Sequence, residues 1–215
     1  MDLRKILIRL SGEDQFTVNK LLELYKEVDE KAANFISHVN ISCPEGCGIC
    51  CKGSAIETTV LEMLPAALYF WSVNEAENQL ALLEAAKEPG QCVFFKPDSG
   101  TYADGRCGIY KLRPLICRLF GFFTIKNKYG KYVYGSCKII KEKSPEAYQR
   151  AQETLTNEHH PSEMTNFSIQ ILSMGLDIGR KMLPINTAAS IAIEKIGFTL
   201  RYNKNDLEPF NNKAA

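Results

Sequence analysis

The chain has 215 residues, 45% of them hydrophobic, which is enough to bury a core without the help of disulfides. Its 26 basic and 25 acidic side chains leave a net charge of +1, so the basic excess of a nucleic-acid-binding protein is absent. No stretch approaches the roughly 18 apolar residues of a membrane span, and residues 1–10 do not resemble a signal peptide, so we expect a cytoplasmic protein with no membrane partner.

Residues 14–38 are predicted to form a helix, because apolar side chains recur there with a period near 3.6 residues. Asp14 is the expected N-cap. The helix leads directly to the first cysteines. His38 lies near its end, where a histidine suits the negative end of the helix dipole, and we do not include it among the metal ligands.

Four of the eight cysteines fall within residues 43–51. Thiols two or three residues apart on a short loop have the spacing of metal ligands, because such a loop must curl around a shared centre. Gly46 and Gly48 permit the curl. Cysteines in the cytoplasm stay reduced, which favours metal binding over disulfides.

Cys50 and Cys51 are adjacent, so their side chains leave the backbone in different directions. They are not expected to share one tetrahedral ion. Either one of them serves a second site, or it bridges two metals. Eight thiols then divide into two four-ligand sites, although the sequence does not assign each cysteine to one of them.

Two further helices are predicted after this cluster. Thr59 and Glu62 form a capping box at the start of the first, and Pro65 should bend or shorten it. Asn74 opens the second helix, which is expected to run to about Lys87.

The middle of the chain, residues 92–140, has the pattern of hairpins. Residues 92–95 and 106–110 are predicted to be paired strands, because turn-forming residues lie between them. A short helix over 114–119 carries Cys117. Residues 122–126 and 132–134 form the second predicted hairpin, which leads into Cys137.

The chain from residue 144 onward is predicted to be helical again. One helix starts at Ser144, another runs from Ser162 to about Met182, and a short one covers 188–195. His159 and His160 are interpreted as a solvated loop. The expected fold is α+β and predominantly helical, with small β-hairpins and loops around a cysteine-rich metal centre. We expect one domain over 1–215, in which 144–215 is a helical extension packed on the 14–140 core.

Three arginines flank two of the later cysteines: Arg106, Arg113 and Arg118 surround Cys107 and Cys117 in sequence. Four thiolates on a divalent zinc ion leave a charge of −2, and burying this charge is costly unless cations and donors surround it. Arginine donates several hydrogen bonds in a fixed geometry. We therefore expect these arginines to contact the sulfur ligands.

Two motifs together resemble a known family. Residues 43–51 read Cys-x-x-x-Cys-x-x-Cys-Cys, and residues 106–120 read Arg-Cys-Gly-Ile-Tyr-x-x-Arg-Pro-x-x-Cys-Arg-x-Phe, with a lone cysteine before Phe-Phe between them. They resemble the YkgJ-type cysteine-cluster family, described as a zinc- or iron-chelating domain, over about residues 43–137. The resemblance implies a metal or iron–sulfur protein and no particular reaction.

The predicted function is metal binding at two sites. The expected metal is zinc or iron, and the iron includes iron–sulfur clusters. The predicted ligands are all eight cysteines: Cys43, Cys47, Cys50, Cys51, Cys92, Cys107, Cys117 and Cys137. The alternative is a metal- or iron–sulfur-dependent enzyme, since a flagellin lysine N-methylase is reported within the broad family. The CxxxCxxC spacing is also that of radical S-adenosylmethionine enzymes, but the chain lacks the repeated strand–helix units of their barrel.

Overall fold

The computed structural model of the chain describes residues 3–10, 12–44, 47–53, 56–86, 90–100, 105–155, 163–175 and 177–202. It is predominantly helical with small antiparallel strand pairs, as the sequence predicts. The helices are α1 (Arg4–Leu7), α2 (Gly12–Val39), α3 (Val60–Ser72), α4 (Ala76–Ala85), α5 (Leu115–Leu119), α6 (Lys138–Lys143), α7 (Pro145–Glu153), α8 (Met164–Met174) and α9 (Ile185–Tyr202). The strands are β1 (Glu57–Thr58), β2 (Phe95–Pro97), β3 (Gly105–Cys107), β4 (Phe123–Lys126), β5 (Tyr132–Gly135) and β6 (Leu183–Pro184). Within these ranges, none of the helices combines the length and the apolar character needed to cross a lipid bilayer.

Helices α3 and α9 pack together at the centre of the main apolar core. Leu61 and Leu68 of α3 are completely buried. The facing side of α9 carries buried alanines and Gly197, which lets the helices approach closely: a Cβ added at Gly197 would lie 2.5 Å from ring carbon Cζ2 of Trp71. The Trp71 indole Nε1 also donates to the carbonyl of Ile193 at 2.9 Å. The last helix is therefore fixed on the core by both packing and a hydrogen bond.

A smaller apolar cluster, here called the second cluster, lies next to the main one. Its buried members come from the end of α2, the β4–β5 hairpin region, α6 and α7. They are Phe35, Val39, Ile41, Phe122, Tyr134, Ile140, Ala147 and Ala151. Cys51 and Cys92 are buried in the main cluster, whereas Cys137 packs against the second cluster. The cysteine-rich region thus contacts both clusters.

The start of α3 has the predicted capping box. Thr59 Oγ1 accepts a hydrogen bond from the Glu62 backbone N–H, and the Glu62 carboxylate accepts one from the Thr59 N–H, each at 3.2 Å. Pro65 does not shorten the helix, which continues to Ser72. Proline removes one backbone hydrogen bond, but nearly every side chain of α3 is buried and packing keeps the segment helical.

The two predicted hairpins are present with shifted bounds. Strand β2 pairs antiparallel with β3, and Phe95 lies opposite Cys107. The chain turns before β2, because the Phe95 N–H donates to the Cys92 carbonyl, so the prediction of a strand from residue 92 is wrong. The return strand ends at Cys107 because a 3-10 turn follows at Tyr110–Leu112. Strands β4 and β5 pair around Gly130, whose φ of +73° favours glycine.

The predicted starts of α2 and α4 are wrong by one or two residues. Helix α2 begins at Gly12, so Asp14 lies in its first turn. Helix α4 is preceded by Glu75, and Asn74 instead adopts a left-handed φ of +57° after α3. Asparagine tolerates this conformation better than most residues, which explains why its preference for helix starts misled the prediction.

The C-terminal helices also differ from the prediction. Helix α8 ends at Met174, far short of the expected end near residue 182. Helix α9 extends over Ile185–Tyr202 instead of 188–195, because its buried face continues along α3.

His38 is in the last turn of α2 and is exposed. His159 and His160 lie outside the described residues, as do Ser162, Gly46 and Pro89.

Candidate metal centre

The cysteines are carried by short segments that meet between the two apolar clusters. The 3-10 turn Ile49–Lys52 contains Cys50 and Cys51. Cys107 is the last residue of β3, Cys117 is in α5, and Cys137 directly precedes α6. Short elements of this kind have little stability of their own, so their positions depend on the packing around them.

The turn Ile49–Lys52 packs directly on the β2–β3 hairpin. A Cβ added at Gly48 would lie 2.5 Å from the carbonyl oxygen of Gly105 and 2.8 Å from the Phe95 ring. Only glycine allows this approach. The N–H of Cys92 also donates to the carbonyl of Cys51 at 3.3 Å. Close packing and this hydrogen bond bring cysteines from separate parts of the chain together.

Cys51 is hydrogen-bonded to two other thiols. These bonds, first to Cys107 and then to Cys50, raise the pKa of Cys51 well above its usual range. The same bonds are the main reason that the pKa of Cys50 is lowered to about 6 and that of Cys107 to about 7. Three sulfurs therefore lie within hydrogen-bonding reach of one another, and two of them favour the thiolate form.

Cys92, which is buried, and Cys117, which is half-buried, complete this group. Burial, together with the charge of Cys107, raises the pKa of Cys92 to about 12. Burial also raises the pKa of Cys117, with added contributions from Cys50, Cys92 and Cys107. We call Cys51, Cys92, Cys107 and Cys117 the inner thiols. Because the charges of neighbouring thiols oppose the ionisation of Cys92 and Cys117, a cation among the inner thiols would stabilise all four as thiolates.

Three other cysteines form a second group. Burial, together with the neighbouring Cys47, Cys137 and Cys50, raises the pKa of Cys43 to about 12. We call Cys43, Cys47 and Cys137 the outer thiols. The Cys137 sulfur accepts a hydrogen bond from the N–H of Ile140 at 3.4 Å. Cys50 interacts electrostatically with members of both groups.

A small cavity of about 30 Å³ lies among these sulfurs. Six cysteines line it: Cys47, Cys50, Cys51, Cys92, Cys107 and Cys117. This volume has room for an ion or a water molecule. The sulfurs therefore surround a space of the size that a metal site requires.

The donor set fits zinc or iron in chemical type, because thiolate sulfur is a preferred ligand of zinc and of iron–sulfur clusters. Within the described ranges, no three cysteine, histidine or acidic side chains are already arranged as metal ligands. All four inner thiols line the small cavity.

The predicted arginines occupy different positions. Arg113 lines the small cavity, and its positive charge contributes to the lowered pKa values of Cys50 and Cys107. It is placed to offset the negative charge of the thiolates. The Arg106 side chain is 67% exposed and lies 3.6 Å from Asp98. This ion pair faces solvent on the β2–β3 hairpin.

Arg118 is buried and bonded to oxygen atoms. Its guanidinium donates to Asp29 Oδ2 at 2.5 Å, to the carbonyl of Lys111 at 2.6 Å and to the carbonyl of Arg113 at 2.7 Å. It also lies 4.2 Å from the Tyr25 ring centroid. Arg118 thus fastens the loop before α5 to α2 and holds Arg113 in place.

Glu62 has a structural role at the centre that its sequence context does not indicate. Besides capping α3, its carboxylate accepts a hydrogen bond from the N–H of Leu115 at 2.8 Å. Leu115 is the first residue of α5, the helix that carries Cys117. The sequence offers one signal of this second contact: Glu62 is a carboxylate within the largely apolar helix Val60–Ser72. Such a group needs polar partners when it is buried.

A comparison with known protein families finds a matching family model. Residues 42–159, more than half of the chain, match the family model CxxCxxCC, whose description is "putative zinc- or iron-chelating domain". No curated protein and no solved structure gives a significant match. The matched residues include every cysteine of both thiol groups.

Proposed function

Because the chain belongs to the CxxCxxCC family of zinc- or iron-chelating domains, we propose that its eight thiols form two neighbouring metal sites. The inner thiols are the ligands of one site. The outer thiols, together with Cys50, are the ligands of the other. Two neighbouring spaces support this proposal: the inner thiols line the small cavity together with Cys47 and Cys50, and the outer thiols line a larger groove beside it together with Cys50 and Cys117.

The inner site has the features of a structural centre. Cys51 and Cys92 are buried in the main apolar cluster, which excludes water and competing ligands. Four thiolate ligands close the coordination of a tetrahedral ion, and the binding free energy then contributes to folding. Arg113 offsets part of the net negative charge, and this reduces the cost of burying it.

The outer site is more accessible. Cys43 is exposed and Cys47 and Cys137 are half-buried. Cys137 also starts α6, where its sulfur accepts the Ile140 N–H. A site with exposed thiols exchanges metal more readily than a closed one, so we assign the exchangeable metal of this protein to the outer site.

An enzymatic function is the second candidate. A large groove lies beside the outer thiols, and substrate sites are concave and usually apolar. A metal- or iron–sulfur-dependent enzyme, such as a protein N-methylase, needs this kind of space. The chain's own contribution would be to bind and orient a substrate there, while the metal or cluster supplies Lewis-acid or redox chemistry.

The test is the content of zinc, iron and acid-labile sulfide in protein purified without oxygen. It compares the original chain with Cys107→Ser and Cys43→Ser. Loss of a ligand from the inner site should remove one metal and lower the thermal midpoint. Loss of a ligand from the outer site should remove one metal and leave the thermal midpoint nearly unchanged, because Cys43 is exposed.

Two outcomes would contradict the proposal. Loss of all metal in both variants would mean that the thiols hold a single shared centre. Full metal content in either variant would mean that the altered cysteine is not a ligand. Sulfide in proportion to iron would identify clusters, and its absence together with zinc would identify closed zinc sites.

A further inference from the structure

A groove of about 870 Å³ opens beside the outer thiols. One part is lined by sulfur, and the larger part is apolar. The apolar lining includes Ala33, Ile36, Tyr110 and Phe120. This volume is in the range of sites that bind small organic molecules.

The charged residues of the groove are mainly cationic. Lys111, Arg113, Arg118 and Lys138 line it, and the acidic residue among its described lining is Asp29. Asp29 is paired with Arg118, so it does not balance the other cations. Within the described ranges, no acidic side chain pairs with Lys111 or Arg113. Lys138 is paired with Glu142 at 3.5 Å, which leaves Lys111 and Arg113 as the cations of the described lining without a carboxylate partner.

Arg113 is held in a fixed orientation. Its Nε donates to the Tyr110 carbonyl at 2.9 Å, and its guanidinium lies 3.5 Å from the Tyr110 ring centroid. Stacking and this hydrogen bond leave the two terminal nitrogens as the donors for a ligand. A guanidinium prepared in this way recognises a planar or tetrahedral anion through two hydrogen bonds.

We propose that this groove binds a small organic anion: a molecule with an aromatic or other apolar body and one carboxylate, sulfonate or phosphate group. Lys111 and Arg113 hold the anionic group. Tyr110, Phe120 and Ile36 contact the apolar body. These contacts come from side chains other than the thiols, so the proposal goes beyond the metal sites, although the outer thiols line part of the same groove.

The test uses two fluorescent dyes that share an apolar aromatic body and differ in charge. 8-Anilinonaphthalene-1-sulfonate is anionic, and N-phenyl-1-naphthylamine is its neutral analogue. The full-length protein, with the metal it holds on purification, is titrated with each dye. We expect saturable binding of the sulfonate at one molecule per chain, weakened by salt, and weaker binding of the neutral dye.

Two variants separate the charge from the apolar surface. Lys111→Gln should weaken binding of the sulfonate about tenfold, the usual effect of one charged hydrogen bond, and leave the neutral dye unchanged. Ala33→Trp should fill the groove and abolish binding of both dyes. Asn34→Trp is the matched control, because Asn34 is the next exposed residue of α2 and does not line the groove.

The proposal is overturned if Ala33→Trp binds both dyes as the original chain does. It is also overturned if both dyes bind equally and Lys111→Gln changes neither affinity, because the cations then have no role. Metal content is measured on the same samples. If the original chain contains metal but does not bind the dyes, the groove site alone is rejected. If it binds the dyes but contains no metal, the metal sites alone are rejected.

Discussion

The backbone N–H of Leu115 donates to the carboxylate of Glu62 at 2.8 Å and joins the first turn of α5 to the first turn of α3. The same carboxylate accepts hydrogen bonds from the N–H and the hydroxyl of Thr59. Three donors compensate for the burial of this charge. One side chain thus fixes both the central core helix and the short helix that carries Cys117.

Replacing Glu62 with glutamine should therefore destabilise the protein and disturb the inner thiols. The amide nitrogen cannot accept a hydrogen bond, so one buried donor loses its partner. We expect the free energy of unfolding, measured in urea, to fall by about 1–3 kcal/mol. Glu84→Gln on the exposed face of α4 is the control and should change it by less than about 0.5 kcal/mol. Equal effects of the two changes would show that the contact with Leu115 has little energetic value.

Local signals in the sequence predict the parts of the fold that depend on near neighbours. The Thr59–Glu62 capping box, the β4–β5 hairpin and the helix started at Pro114 all follow from residues a few positions apart. The β1–β6 pair does not, because it joins residues 57–58 to 183–184. Helix ends are similarly decided by burial against distant segments.

The candidate site is likewise predicted only in part by the sequence. The sequence identifies the thiols, since their spacing is a local pattern. It does not show which of them meet, because Cys51, Cys92 and Cys107 come together through the packing of a turn on a hairpin. The second contact of Glu62 likewise spans 53 residues. The assignment of all eight cysteines as ligands stays a prediction.

Replacing Arg118 with lysine should cost more than removing the charge of its partner Asp29. A lysine nitrogen cannot reach the three oxygen acceptors of the guanidinium, so buried carbonyls lose their donors at a cost of about 1–3 kcal/mol. Asp29 is 53% exposed, and Asp29→Asn should cost no more than about 1 kcal/mol. Urea unfolding of both variants measures the difference. A larger loss in Asp29→Asn would mean that the ion pair, not the carbonyl contacts, holds this loop.

Replacing Gly197 with alanine should destabilise the contact between α3 and α9. The new methyl group would lie 2.5 Å from Trp71, and overpacking of this kind costs about 1–3 kcal/mol. Tryptophan fluorescence should report the same change, because Trp71 is the only tryptophan in the chain. Gly12→Ala is the control, since a Cβ there has no neighbour within 4 Å. Unchanged stability and fluorescence in Gly197→Ala would show that the ring moves aside freely.

Metal release by a thiol-binding mercurial reagent should occur in two steps. The reagent reaches Cys43 at the surface first and displaces the outer metal, while Cys51 and Cys92, 5% and 4% exposed, react later. Loss of the inner metal should lower the thermal midpoint, because its binding energy is part of the folding energy. A metal-sensitive dye and circular dichroism follow the two events together. A single release step that coincides with unfolding would contradict two separate sites.

The division of the core into two apolar clusters affects which parts of the protein unfold locally. The inner thiols belong to the main cluster, whereas Cys137 packs on the second cluster and starts α6. Segments that share few buried contacts can unfold as separate cooperative units. Amide hydrogens of α6 and α7 should therefore exchange with solvent sooner than those of α3 and α9. With the outer site emptied, this difference in protection should widen, and the second cluster would act as a part of the fold that metal supply can loosen without unfolding the rest.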